Sequence, residues 1–149
     1  MTEEMNLEQV QNILKFIEAT QTETVKADIF RQFGRECFHT RKNDGWLEQY
    51  RGNVQAFLDR VNIQQAATYW EKLEFSEDGK TLFLTGRIAE KCACAYADCP
   101  LPPKSLCNSC CKGFQQEFFH TLLGQPVEVE ITEAYLLGGE RCSTAIHLV

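Results

Sequence analysis

Residues 72–88, KLEFSEDGKTLFLTGRI, decide the fold class. Apolar and polar side chains alternate on both sides of Asp78-Gly79, a dipeptide suited to the positive φ values of a tight turn. Folded back on that turn, the stretch sets Leu73 opposite Leu84 and Phe75 opposite Leu82, and these four face a core. Upstream of Trp70 the apolar period is different. Leu7, Val10, Leu14 and Ile17 fall at helical spacing, as do Val25, Ile29 and Phe33, with Cys37 one turn further on the same face. A third stripe, Trp46, Tyr50, Val54, Phe57, Leu58 and Val61, is interleaved with Glu48, Gln49, Arg51 and Asp59 and predicts one more amphipathic helix.

Downstream, residues 110–126 (CCKGFQQEFFHTLLGQP) read as a short helix from Lys112 to Leu123 with Phe114, Phe118 and Leu122 on one side, ended by Gly124 and Pro126. Residues 126–149, PVEVEITEAYLLGGERCSTAIHLV, read as a second hairpin. A two-residue turn at Gly138-Gly139 pairs Tyr135 with Cys142, Glu133 with Thr144, Ile131 with Ile146 and Val129 with Leu148, all on one face. Burial of the four apolar members then carries Glu133, Tyr135, Cys142 and Thr144 inward. Either the hairpin end protrudes and Glu133 is solvated, or these side chains form the polar end of an internal pocket, which Cys37 could close from the helical side. The expectation is an α+β fold in which N-terminal helices and one later helix pack on an antiparallel sheet built from two hairpins. It occupies one domain over 1–149, helical over about 5–62, with the sheet and a cysteine-rich loop over about 69–149.

The chain has 149 residues and a formal net charge of −6, which excludes a general nucleic-acid binder with a basic face. The opening MTEEMNLEQV is acidic and polar rather than basic and then apolar, and no apolar run approaches the roughly 18 residues of a membrane span, so a cytoplasmic, membrane-free protein is expected. Six of the eight cysteines lie between Cys92 and Cys111. In a reducing compartment such clusters more often bind metal or do redox chemistry than form disulfides.

Two chelating pairs stand on either side of Pro100, Pro102 and Pro103: the C-x-C pair Cys92 and Cys94, and the C-x-x-C pair Cys107 and Cys110. Four thiolates suit a tetrahedral zinc, with an iron–sulfur cluster as the alternative, and Cys37, Cys99 or Cys111 could replace a member. Lys91, Lys104 and Lys112 could offset the charge of such a centre. The histidines are weaker candidates: His39 lies in a C-x-H pair at a helix end, His120 on a solvated face, and His147 on the outward side of the last strand. No Ser-His-Asp, phosphate-loop or H-E-x-x-H pattern is present, so catalysis would have to use cysteine.

The segment CACAYADCP, followed by LCNSCCKGFQQEFFHTLLGQPVEVEITEAYLLGGERCSTAIHLV, resembles a bacterial cysteine-rich family. That family is related to the four-vinyl-reductase-type ligand-binding domain and to L-2-amino-thiazoline-4-carboxylic acid hydrolase-like proteins. The match is best over 90–149, and FGRECF around Cys37 resembles the family's N-terminal cysteine element. The last strand reads CSTAIHL where relatives tend to place an aromatic after the cysteine. The resemblance implies helices packed on an antiparallel sheet, a hydrophobic ligand cavity between them, and a zinc-holding cysteine region. The expected function is a small-molecule-binding, sensory-type domain with a structural metal site, taking a small apolar or amphipathic ligand. The alternatives are a cysteine-dependent hydrolase, with Cys142 or Cys37 attacking and Glu133, Tyr135 or His39 assisting, and a redox or iron–sulfur protein. Oligomeric state is open, with a homodimer among the options.

Overall fold

The structure, a computed structural model, describes residues 7–40, 43–63, 70–88 and 105–149. Four helices come first: α1 (Leu7–Thr20), α2 (Glu23–Thr40), α3 (Asn43–Glu48) and α4 (Val54–Ile63). Two strands follow, β1 (Trp70–Phe75) and β2 (Thr81–Gly86). A π-helical turn, Leu106–Cys111, leads directly into α5 (Lys112–Leu123). The chain then forms β3 (Val127–Glu133), a 3-10 turn (Tyr135–Leu137) and β4 (Ser143–Leu148). The sheet is antiparallel throughout in the order β1-β2-β4-β3, so the two hairpins are joined through their β2 and β4 strands. This is the expected α+β fold.

The first hairpin has the register expected from its alternation, with Leu73 opposite Leu84 and Phe75 opposite Leu82. Gly79 takes φ +72°, and Asp78 Oδ1 accepts from the Ser76 hydroxyl at 2.6 Å and the Lys80 amide at 3.0 Å, so the turn is held by its own side chains. Leu73, Leu82, Leu84 and Ile146 on the inner face meet Phe38, Leu47, Phe57, Phe118, Phe119 and Leu122 from the helices. Phe118 stands at the centre of this layer, with ring centroids 4.9 Å from Phe119, 5.6 Å from Trp70 and 5.9 Å from Phe38. Full burial of each such side chain contributes about 1.5–3 kcal/mol, so this interface is the principal apolar contribution to the fold.

Three expectations are corrected. The third helical stripe is two helices, because Gly52 adopts φ +79° and Asn53 Oδ1 accepts from the Ala56 amide, which stops one helix and caps the next. The inward face of α2 is Lys26, Phe30, Gly34 and Phe38, one residue on from the Val25-Ile29-Phe33-Cys37 stripe; Val25 is exposed and Cys37 is half-buried. The second hairpin pairs Val127 with Leu148, Val129 with Ile146 and Ile131 with Thr144, a shift of two residues, and a bulge then sets Glu133 opposite Ser143. Its connection is not a Gly138-Gly139 turn. Tyr135–Leu137 winds into a 3-10 turn closed by Gly138 at φ +99°, and Glu133 Oε2 accepts from the Glu140 and Arg141 amides at 2.8 and 3.2 Å. Those two bonds stabilise the wider loop and end the ladder early.

The α2 face is rotated because α2 crosses the π-turn and α5 at backbone contact. A methyl on Gly34 would overlap the Cys110 carbonyl, and one on Gly113 would overlap the Arg31 carbonyl. Only hydrogen fits at either position. Gly34→Ala should therefore cost at least about 2 kcal/mol, since neither carbonyl can move without displacing a helix. Gly45→Ala in α3, where an added methyl meets nothing within 4 Å, should be neutral or stabilising by about 0.5–1 kcal/mol. Urea denaturation of the two variants checks the contrast, and equal stabilities would refute the crossing.

Candidate functional site

The cysteine turn begins a few residues after Pro102 and Pro103, which a helix can follow but not pass through. Its Cys107 and Cys110 are buried thiols, 7% and 6% exposed, and Cys111 is half-buried. Leu106 and Cys110 join Leu14 of α1 and Phe30 of α2 in a second apolar cluster, against which Leu136 also packs. The turn is thus wedged between α1, α2 and the 3-10 turn. Cys92, Cys94 and Cys99 lie outside the described residues. Among the described residues no three His, Cys, Asp or Glu side chains converge on one point. The donors that Cys107 and Cys110 supply are soft sulfurs, which fit zinc or an iron–sulfur cluster and not a hard cation.

The start of the turn is tied down by charge. Lys26, 8% exposed, donates to Glu18 Oε1 at 2.8 Å and lies 2.8 Å from Glu23 Oε1, while the Ser105 hydroxyl donates to Glu18 Oε2 at 2.7 Å. Burial pushes the Glu18 carboxyl upward, but the Lys26 ammonium and the Ser105 hydroxyl more than offset it and hold the group below the usual carboxylate range. The Glu18 and Glu23 bonds raise Lys26 in turn. This latch joins the end of α1, the first turns of α2 and the π-turn. Beside it opens a cleft of about 420 Å³ whose lining includes Lys26, Ala27, Phe30, Arg31, Asn108 and Ser109.

None of the expected pocket residues lines this cleft. Cys37 sits on α2. Glu133 binds the backbone amides of its own connection, and the Tyr135 amide donates to Cys142 Sγ at 3.5 Å in the same loop. Thr144, 3% exposed on β4, donates to Gln115 Oε1 at 2.8 Å, and Gln115 Nε2 donates to Cys111 Sγ at 3.5 Å. The structure therefore brings Glu133, Tyr135 and Cys142 together as a loop and joins Thr144 to the cysteine turn, while Cys37 is a half-buried thiol of α2. Two of the imidazoles are engaged by carboxylates, His39 Nε2 at 3.1 Å from Glu117 and His147 Nε2 at 3.5 Å from Glu130. Sequence reasoning missed Glu18, Lys26, Ser105 and Gln115. The usable signal was Lys26, which stands four residues before Phe30 on the inward side of α2.

The depressed Glu18 carboxyl fixes a sign for pH dependence. Its contribution to stability is present above the unfolded value near 4.5 and is lost as pH falls through the lower folded value. Glu18→Gln should accordingly melt below the wild type around pH 7, and the gap should close on acidification to about pH 3. Thermal melts of both proteins across that range check this, and a gap that does not change with pH would contradict it.

No family model matches the chain, and no curated protein matches it. Among solved structures it is similar to a trafficking protein particle complex subunit 3 from Naegleria fowleri covalently bound to palmitic acid. The TM-score is 0.49 and the identity 12%, over 96% of this chain and 93% of that one. No helix among the described residues is long and apolar enough to cross a membrane.

Proposed function

We propose that the protein is a small-molecule-binding domain whose cysteine-rich segment carries a structural metal, zinc rather than an iron–sulfur cluster. The observation that supports this most is the wedged π-turn. It buries two thiols, Cys107 and Cys110, directly after the segment that carries Cys92, Cys94 and Cys99. With Cys92 and Cys94, two thiols of the turn would complete a tetrahedral sulfur set, Cys107 with Cys110 by spacing or with Cys111 as a replacement. A bound zinc would tie the turn to the segment of Cys92 and Cys94 through sulfur, in addition to the Glu18-Ser105 latch on the residue before it.

The cleft beside the turn supports the binding half of the reading. Ser105, Asn108 and Ser109 form one wall, and α2 forms the other with Ala27, Phe30, the cations Lys26 and Arg31 and the carboxylates Glu23 and Asp28. The charges there are balanced, Lys26 paired with Glu18 and Glu23 and Arg31 beside Asp28, and apolar carbon next to such polar groups suits a small amphipathic molecule. Metal at the turn would set the position of one wall, so the two sites belong to one device.

Elemental analysis of protein purified anaerobically without added metal should find about one zinc per chain, and chelation should lower its thermal stability. A brown protein containing iron and acid-labile sulfide would replace zinc by a cluster. Protein free of both metals would end the reading.

A further inference from the structure

The C-x-x-C spacing selects Cys107 with Cys110 as the chelating pair of the turn, but three cysteines stand on it. On the reading that this turn binds metal, we infer that its two metal thiolates are Cys107 and Cys111, that Gln115 and Thr144 are positioning residues for the Cys111 sulfur, and that Cys110 is a core side chain.

The winding of the turn comes first. An α-helix advances about 100° per residue, so residues three and four apart are separated by about 60° and 40° around the axis. A π-turn, with its wider ring, advances roughly 80°. Residues four apart then return to within roughly 35°, and residues three apart diverge by roughly 115°. Leu106–Cys111 is wound this way, so Cys107 and Cys111 share a face and Cys110 is turned off it.

The surroundings agree. Cys110 belongs to the apolar cluster of Leu14, Phe30 and Leu106, where a thiol behaves as a small hydrophobe and an ionised sulfur would be costly. Cys107 is equally buried, and among the described residues it is not a member of that cluster. Cys111 receives the amide of Gln115, a side chain 8% exposed whose oxygen is held by the 3%-exposed Thr144 hydroxyl. Thr144 thus spends its hydroxyl on the Gln115 oxygen, which leaves the NH₂ group facing the sulfur. Donors of this kind orient metal ligands, and their removal typically costs 10–100-fold in metal affinity. On binding, each thiol releases its proton to solvent and its sulfur lone pair enters the metal's coordination shell.

The test measures zinc content and zinc affinity of the full-length chain as wild type, Cys107→Ala, Cys110→Ala, Cys111→Ala and Gln115→Leu, with circular dichroism as a folding control. Cys110→Ala should keep one zinc with affinity close to wild type. Cys107→Ala and Cys111→Ala should lose at least about 100-fold, and Gln115→Leu about 10–100-fold at unchanged stoichiometry. Zinc retained by Cys111→Ala and lost by Cys110→Ala overturns the pair while leaving the metal reading intact. Wild-type protein without metal overturns both. A measurement that needs no variant is iodoacetamide labelling of the wild type before and after chelation, mapped by mass spectrometry. Chelation should expose Cys107 and Cys111 to alkylation and leave Cys110 unchanged, and the reverse pattern refutes the assignment.

Discussion

Two glycines hold the helical layer in place. At Gly34 and Gly113 the backbones of α2 and of the π-turn and α5 touch reciprocally, each glycine lying against a carbonyl of the opposite element, Cys110 in one case and Arg31 in the other. Helices whose side chains interdigitate normally keep axes about 8–10 Å apart. Removal of both side chains at the crossing lets the backbones themselves meet. The rest follows from this depth. Phe30 and Phe38, four residues on either side of Gly34, are buried with it, and the cysteine turn is pressed between α1 and α2. The same device recurs at Gly86, where a methyl would overlap the Cys142 carbonyl, so the end of β2 is closed by the connection between β3 and β4.

Polar bonds then fix the two ends of the turn. At its start the Ser105 hydroxyl is held by Glu18, which is itself paired with Lys26. At its end Cys111 is reached by Gln115, which is held by Thr144 from a central strand of the sheet. Buried polar groups are costly unless they are satisfied, and among the described residues no buried side-chain nitrogen or oxygen lacks a partner. The turn is therefore specified in position by apolar packing and in orientation by hydrogen bonds. A site that needs sulfur atoms in a fixed geometry requires both.

Local chemistry was legible in the sequence wherever a turn governs its own neighbourhood. Asp78-Gly79 fixed the first hairpin because Ser76, Asp78 and Lys80 bond within it, and Gly124 ends α5 in the left-handed conformation its position implies. The second hairpin misled because Gly138-Gly139 offers a tight turn that Glu133 outcompetes by accepting two backbone amides, and a carboxylate's choice between solvent and distant amides leaves no local pattern. The face of α2 was misread by one residue because the stripe Val25, Ile29, Phe33 and Cys37 is apolar, whereas the true face includes a lysine and a glycine. Lys26 is tolerated there only through Glu18 and Glu23, and Gly34 is required only by what crosses it. Both are tertiary facts. The clustering of cysteines was visible at once, but their winding and the reach of Gln115 from the next helical turn were not.

X-ray absorption at the metal edge of the full-length protein, purified without added metal, tests the central claim most directly. A sulfur-only first shell at about 2.3 Å is the result expected for a zinc held by cysteine thiolates. A first shell dominated by nitrogen or oxygen, or the absence of a metal edge, would contradict it.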